Sequence, residues 1–96
     1  MSASDLTKDI LKYCALQGHY VFRVNNIPAT KQRANTLTKG IADIMGCTKD
    51  GRALAIEVKF GKDKQSEYQK TFEHHYKSRG GIYIIARKLE DVTEKI

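Results

Sequence analysis

No apolar run in this sequence exceeds a few residues, so no segment reads as a membrane-crossing helix. The opening "MSASDLTKDI" lacks the apolar core of a secretory signal. Cys14 and Cys47 are the only cysteines, and without a CxxC spacing they match neither a disulfide framework nor a zinc site. Together these features point to a reducing cytoplasm. The one proline, Pro28, lies in residues 25–40, and there is no internal repeat, linker or low-complexity stretch. A single domain over residues 1–96 is expected.

Charged residues make up 29% and hydrophobic ones 41%, the balance of a soluble globular chain. Seventeen Lys and Arg against eleven Asp and Glu leave a net charge of +6, which favours a polyanionic partner such as nucleic acid. Residues 5–17 place Leu6, Ile10, Leu11 and Cys14 on one helical stripe, with Ser4 as N-cap and Gly18 just past the end. "HYVFRV", residues 19–24, is β-branched and aromatic and reads as a strand. Residues 25–40 have no periodicity and form a long loop carrying Lys31, Arg33 and Lys39.

Two strands follow near 41–47 and 53–60. A helix then starts after Ser66, with Tyr68, Phe72 and Tyr76 at four-residue spacing and Gly80 at its end. "GIYIIAR" is a continuous apolar strand, suited to a sheet covered on both faces, and a short helix over 88–95 closes the chain. The order α-β-β-β-α-β predicts an α/β fold with a mixed central sheet flanked by helices.

Three charges interrupt these apolar strands. Asp43 stands alone in "GIADIMG", and Glu57 and Lys59 break "AIEVKF". Glu57 and Lys59 share one strand face, while Ile56, Val58 and Phe60 fill the other. Whether Asp43 joins them depends on the hairpin. A two-residue Asp50–Gly51 turn pairs position 43 with 58. A three-residue Lys49-Asp50-Gly51 loop, with Gly51 left-handed, pairs it with 57. In the second register Asp43 and Glu57 are cross-strand neighbours with Cβ atoms about 4.5–5.5 Å apart.

Carboxylates that close repel unless a cation lies between them or one holds a proton. Mg²⁺, with Mn²⁺ as a substitute, takes one or two carboxylates and keeps several waters, and the Val58 carbonyl offers one more oxygen. Lys59 would then stand beside metal-bound water, a set suited to phosphodiester hydrolysis. Taken alone, Glu-x-Lys fits an edge salt bridge equally well. Asp43 across the hairpin turns the balance toward the metal.

Four segments, "DLTKDILKYCALQGHYVFRVNN", "KGIADIMG", "AIEVKF" and "QSEYQKTF…RGGIYII", resemble the VRR-NUC (virus-type replication-repair nuclease) branch of the PD-(D/E)XK nucleases. The resemblance spans nearly the whole chain. It implies a restriction-endonuclease-like core, Asp43 and Glu57 as metal ligands, and Lys59 as catalytic lysine. Gln69 falls where that branch has a glutamine touching metal-bound water or phosphate, but Ser66-x-x-Gln69 is also a capping box, and both roles stay open. Asp5 falls where members often carry a glutamate that assists the metal. The shorter side chain is better explained as favourable charge in a helix's first turn. Ala42 replaces the proline of the superfamily's name.

His74 and His75 diverge by about 100° on the helix, so one is expected to pack on the sheet and the other to face water, with no catalytic role for either. Lys31, Arg33 and Lys39 are candidate DNA contacts, and Lys62 and Lys64 could line a phosphate track, with a solvated face as the plainer reading of the last two. The resemblance implies a Mg²⁺-dependent DNA endonuclease. Holliday-junction resolvases share this size and layout, so a homodimer acting on branched or four-way DNA in repair or recombination is expected. The rivals are a nuclease for linear or flap DNA within a helicase or restriction complex, and a DNA-binding module without catalysis.

Overall fold

The computed structural model describes residues 2–24 and 39–96. Helix α1 spans Ala3–Gln17. It begins two residues earlier than the expected cap because Ser2, not Ser4, has an acidic partner three positions on. The Asp5 N–H donates to Ser2 Oγ (3.1 Å), and the Ser2 N–H donates to Asp5 Oδ2 (3.1 Å), closing a capping box. Ser4 has Thr7 at that position, and the Thr7 hydroxyl donates instead to the Ala3 carbonyl (2.8 Å). Leu6, Ile10 and Cys14 form the buried stripe, and Gly18 is the C-cap.

Strands β1 (Tyr20–Arg23), β2 (Ile44–Cys47) and β3 (Ala53–Val58) form an antiparallel meander. Helix α2 (Glu67–Ser78) carries the chain over the sheet to β4 (Ile82–Ala86), which lies parallel to β3, giving the order β1-β2-β3-β4. A parallel neighbour requires such a crossover. Helix α3 covers only Glu90–Thr93, shorter than the expected 88–95. Asp91 Oδ2 accepts the N–H groups of Arg87 and Lys88, so residues 87–89 are held in the turn that leads into the helix.

The sheet is covered on both faces, as the apolar β4 implies. Ile44, Leu54, Ile56 and Ile84 pack with the α1 stripe and Val92 of α3. On the other face Ala42, Ala55 and Tyr83 meet Phe72 and Tyr76 of α2. Among the described residues no helix is long and apolar enough to cross a membrane.

The β2–β3 hairpin decides what the sheet can do. Ile44 pairs with Ile56 and Cys47 with Ala53, and the Thr48 N–H donates to the Arg52 carbonyl (2.9 Å). The loop is therefore Lys49-Asp50-Gly51, with Gly51 at φ +88°, a conformation that glycine adopts without steric cost. Extended by one pair, this register sets position 43 opposite 57.

Candidate active site

Asp43 is fixed from two sides at the entry to β2. Its carbonyl accepts the Val24 N–H (2.8 Å), and its Oδ2 accepts the Val58 N–H (2.8 Å), tying the carboxylate to β3. Glu57 lies beside it, only 2% exposed, on the sheet face that α2 covers. Lys59 follows just past β3, half-buried, with its backbone N–H on the Ala86 carbonyl (3.0 Å).

The electrostatics are those of a site short of positive charge. Burial raises the Glu57 carboxyl from its ordinary 4.5 to about 8, helped by the hydrogen bond and charge of Asp43. The Lys59 charge and the Tyr83 hydroxyl offset this only in part. Glu57 Oε2 is buried without a hydrogen-bonding partner among the described residues. A buried acceptor with no donor is costly, and a cation at that oxygen removes the cost together with the repulsion from Asp43.

The donor set fits a hard divalent ion. Among the described residues no three His, Cys, Asp and Glu side chains gather into a cage. Two carboxylates, with a carbonyl and water completing the shell, are what Mg²⁺ accepts from a protein. Val58 stands between the two charged side chains, so its carbonyl is the nearest further oxygen in sequence.

A small cleft of about 160 Å³ opens beside Asp43 and Val58, walled by Ser4 and Thr7 of α1 and by Arg23. Arg23 was not among the residues singled out from the sequence. The β1–β2 register pairs it with Ile44, next to Asp43, and an arginine ending a strand that leads toward that carboxylate was the available signal. Tyr83 was missed as well, because it reads as one more apolar residue in "GIYIIAR". It is buried, on the same sheet face as Glu57, and its hydroxyl accepts from Gln65 Nε2 (3.3 Å). Burial first, and then the nearby carboxylates against the Gln65 hydrogen bond, push that phenol up to about 12. Gln65 Nε2 also donates to Glu73 (3.1 Å), and Glu73 pairs with Lys77 (2.7 Å), so a polar chain runs from beside Glu57 to the surface of α2.

The remaining candidates divide. Gln69 Oε1 accepts the Ser66 N–H (2.8 Å) while the Gln69 N–H donates to Ser66 Oγ (3.2 Å), so the capping role is the one on display. Asp5 is exposed and turned into the Ser2 cap, whose backbone and hydroxyl hydrogen bonds hold its carboxyl below the usual range. Lys39 is exposed, with its ammonium 4.9 Å from the centre of the Tyr68 ring. Lys62 and Lys64 are exposed in the segment after β3, which Arg87 anchors by donating to the Gly61 (3.0 Å) and Asp63 (2.7 Å) carbonyls. Lys31 and Arg33 lie outside the described residues. His74 and His75 are both exposed, against the expectation that one would pack inward. Phe72 and Tyr76 take the inward stripe, stacked with ring centroids 5.0 Å apart, and His75 meets Arg79 instead.

One glycine couples the Asp43 segment to α2. Gly40 has φ +80°, and a Cβ there would overlap the Tyr68 carbonyl and stand 2.7 Å from the Gln69 nitrogen. Only glycine lets the chain entering β2 lie this close to the first turn of α2.

No family model matches this sequence, and no curated protein matches it. A solved structure described as a VRR_NUC domain protein superposes with a TM-score of 0.72 at 17% identity, over 98% of this chain and 84% of that one. The mixed four-stranded sheet between helices, with its parallel β3–β4 pair and its antiparallel β2–β3 hairpin, is thus the α/β, restriction-endonuclease-like fold expected from the sequence, a fold it shares with that VRR_NUC domain protein.

Proposed function

We propose that this chain is a single-domain, Mg²⁺-dependent DNA endonuclease. The observation that carries the proposal is Glu57: buried, with one oxygen lacking a donor among the described residues, opposite Asp43 and two residues from Lys59. The likeness in fold to a VRR_NUC domain protein supports it. Asp43, Glu57 and the Val58 carbonyl would hold the ion. When bound, such an ion neutralises phosphate charge and makes coordinated water more acidic.

The chain's own groups do the rest. The Val58 N–H holds the Asp43 carboxylate in place. The Lys59 ammonium orients the attacking water and stabilises the negative charge that gathers on the phosphate oxygens. Water adds to phosphorus and releases a proton to solvent, while the 3′ oxygen leaves and takes one up, giving 5′-phosphate and 3′-hydroxyl ends. Lys31, Arg33, Lys39, Lys62 and Lys64 supply contacts to the DNA backbone. One site cuts one strand, so a two-fold homodimer presents two equivalent sites to a branched, pseudo-two-fold substrate.

The test is the purified protein with Mg²⁺, and with Mn²⁺ in its place, on labelled linear, flap, fork and four-way DNA. Paired incision of the four-way substrate, with light scattering at twice the monomer mass, is expected. A monomer that cuts linear duplex as fast as a junction would move the reading to a subunit nuclease. Binding without metal-dependent cleavage of any substrate would leave a DNA-binding module.

A further inference from the structure

Beside the Asp43 segment lies a feature that phosphodiester hydrolysis does not use. A groove of about 500 Å³ runs along α2, walled by Tyr68, Phe72 and Tyr76, with Lys39 at one end and His75 and Arg79 at the other. Phe72 and Tyr76 also pack against the core, but Tyr68 is 53% exposed, so an aromatic face is presented to solvent where the stripe could have ended in a polar residue. Lys39 lies over that ring, and the Arg79 guanidinium is steadied by the His75 carbonyl (3.1 Å) and the Ser78 hydroxyl (3.4 Å). The two acids of α2 are already paired, Glu67 with Lys70 (3.4 Å) and Glu73 with Lys77 (2.7 Å). An apolar aromatic floor between two cations is left.

The geometry points to this groove as a binding tract for an unpaired DNA strand, with a base stacked on Tyr68 and phosphates on Lys39 and Arg79. Duplex DNA buries its base faces and offers phosphate and sugar, which an aromatic floor does not match. An unpaired strand offers a π-face at every base and an anion between successive bases, the pairing on which single-strand binders rely. From Tyr68 to Arg79 the helix advances roughly 16 Å at about 1.5 Å per residue, room for more than one nucleotide. Gly40 presses the segment leading to Asp43 against Tyr68 and Gln69, so the tract begins next to the strand that carries the carboxylate. This inference rests on reading the chain as a nuclease for DNA, and it adds that branched DNA is engaged through a strand that lies unpaired beside the site.

The experiment is fluorescence anisotropy of a labelled single-stranded oligonucleotide in EDTA, so that no cleavage intrudes. Tyr68→Ala should weaken binding about ten- to a hundred-fold, and Tyr68→Phe should stay within about three-fold because the ring remains. On an oligonucleotide of abasic residues the wild type and Tyr68→Ala should bind alike. Arg79→Gln should reduce the salt slope by about 0.7, the contribution of one phosphate contact on a single strand.

A Tyr68→Ala protein with unchanged melting temperature and unchanged affinity overturns the proposal. So does an equal loss on natural and abasic strands, or a groove that proves to hold a second copy, with Tyr68→Ala lowering the mass seen by light scattering and leaving oligonucleotide binding intact. Failure of the nuclease reading looks different. A chain that binds unpaired DNA through Tyr68 but cuts nothing keeps the tract and loses the catalysis.

Discussion

Consider what Glu57 does to stability when no cation is present. In the folded chain its carboxyl titrates near 8, against 4.5 ordinarily. Between those values the folded state holds a proton that the unfolded state has released, so stability falls as pH rises. The contribution is whole below pH 4.5 and gone above about 8. The local slope is at most about 1.4 kcal/mol per pH unit, which over the full window is a ceiling of about 5 kcal/mol. Relaxation and water entry reduce the real cost of a buried ion, so about 2 kcal/mol is the working figure. For a domain of this size that is a fall in Tm of about 10 °C. Melting curves in EDTA from pH 5 to 9 should show the fall in wild type and not in Glu57→Gln, which has no charge to acquire. Saturating Mg²⁺ should abolish most of the difference at pH 8, because an ion between the carboxylates stabilises the ionised pair. Wild type and Glu57→Gln melting in parallel across the whole range would refute the reasoning.

Three further outcomes are expected. Lys59→Ala should lower cleavage by about 10²–10⁴-fold while Tm and DNA affinity stay close to wild type; a sharp drop in Tm with near-normal cleavage would assign Lys59 to a structural ion pair. Gly40→Ala should destabilise the chain by about 2–4 kcal/mol in urea titrations, since a left-handed backbone and an overlap with the Tyr68 carbonyl act together; a change under about 0.5 kcal/mol would mean that this close contact is not maintained. Replacing Lys31 and Arg33 together by alanine should flatten the salt dependence of duplex binding by about two phosphate contacts, read as the slope of log K against log salt.

The hairpin was legible in the sequence because a local rule governs it. Gly51 is where a three-residue loop needs a left-handed residue, and that loop fixes Asp43 opposite Glu57. The α1 stripe was legible for a similar reason, since Leu6, Ile10 and Cys14 repeat at four-residue spacing. The cap was misplaced because Ser2 and Ser4 are both capping residues, and only the reciprocal bond from Asp5 separates them. Tyr83 was not legible, and Arg23 only as an arginine ending a strand that leads toward Asp43. Their nearness to the carboxylates comes from strand pairings across the α2 crossover and across residues 24–43, where no short-range signal sets the register.

The Asp43–Glu57 pair also bears on how the chain reaches its fold. The two residues sit in a hairpin closed by three loop residues, the most local pairing in the sheet, whereas β4 joins only after α2 has crossed it. Local contacts form ahead of distant ones because less chain entropy is lost in closing them. The carboxylates therefore meet early, before the crossover has shut them away from water. A divalent ion held there would relieve repulsion already present at the folding barrier, and so would quicken folding more than it slows unfolding. The residues proposed to hold the ion for chemistry would thereby give it a first role while the chain is still assembling.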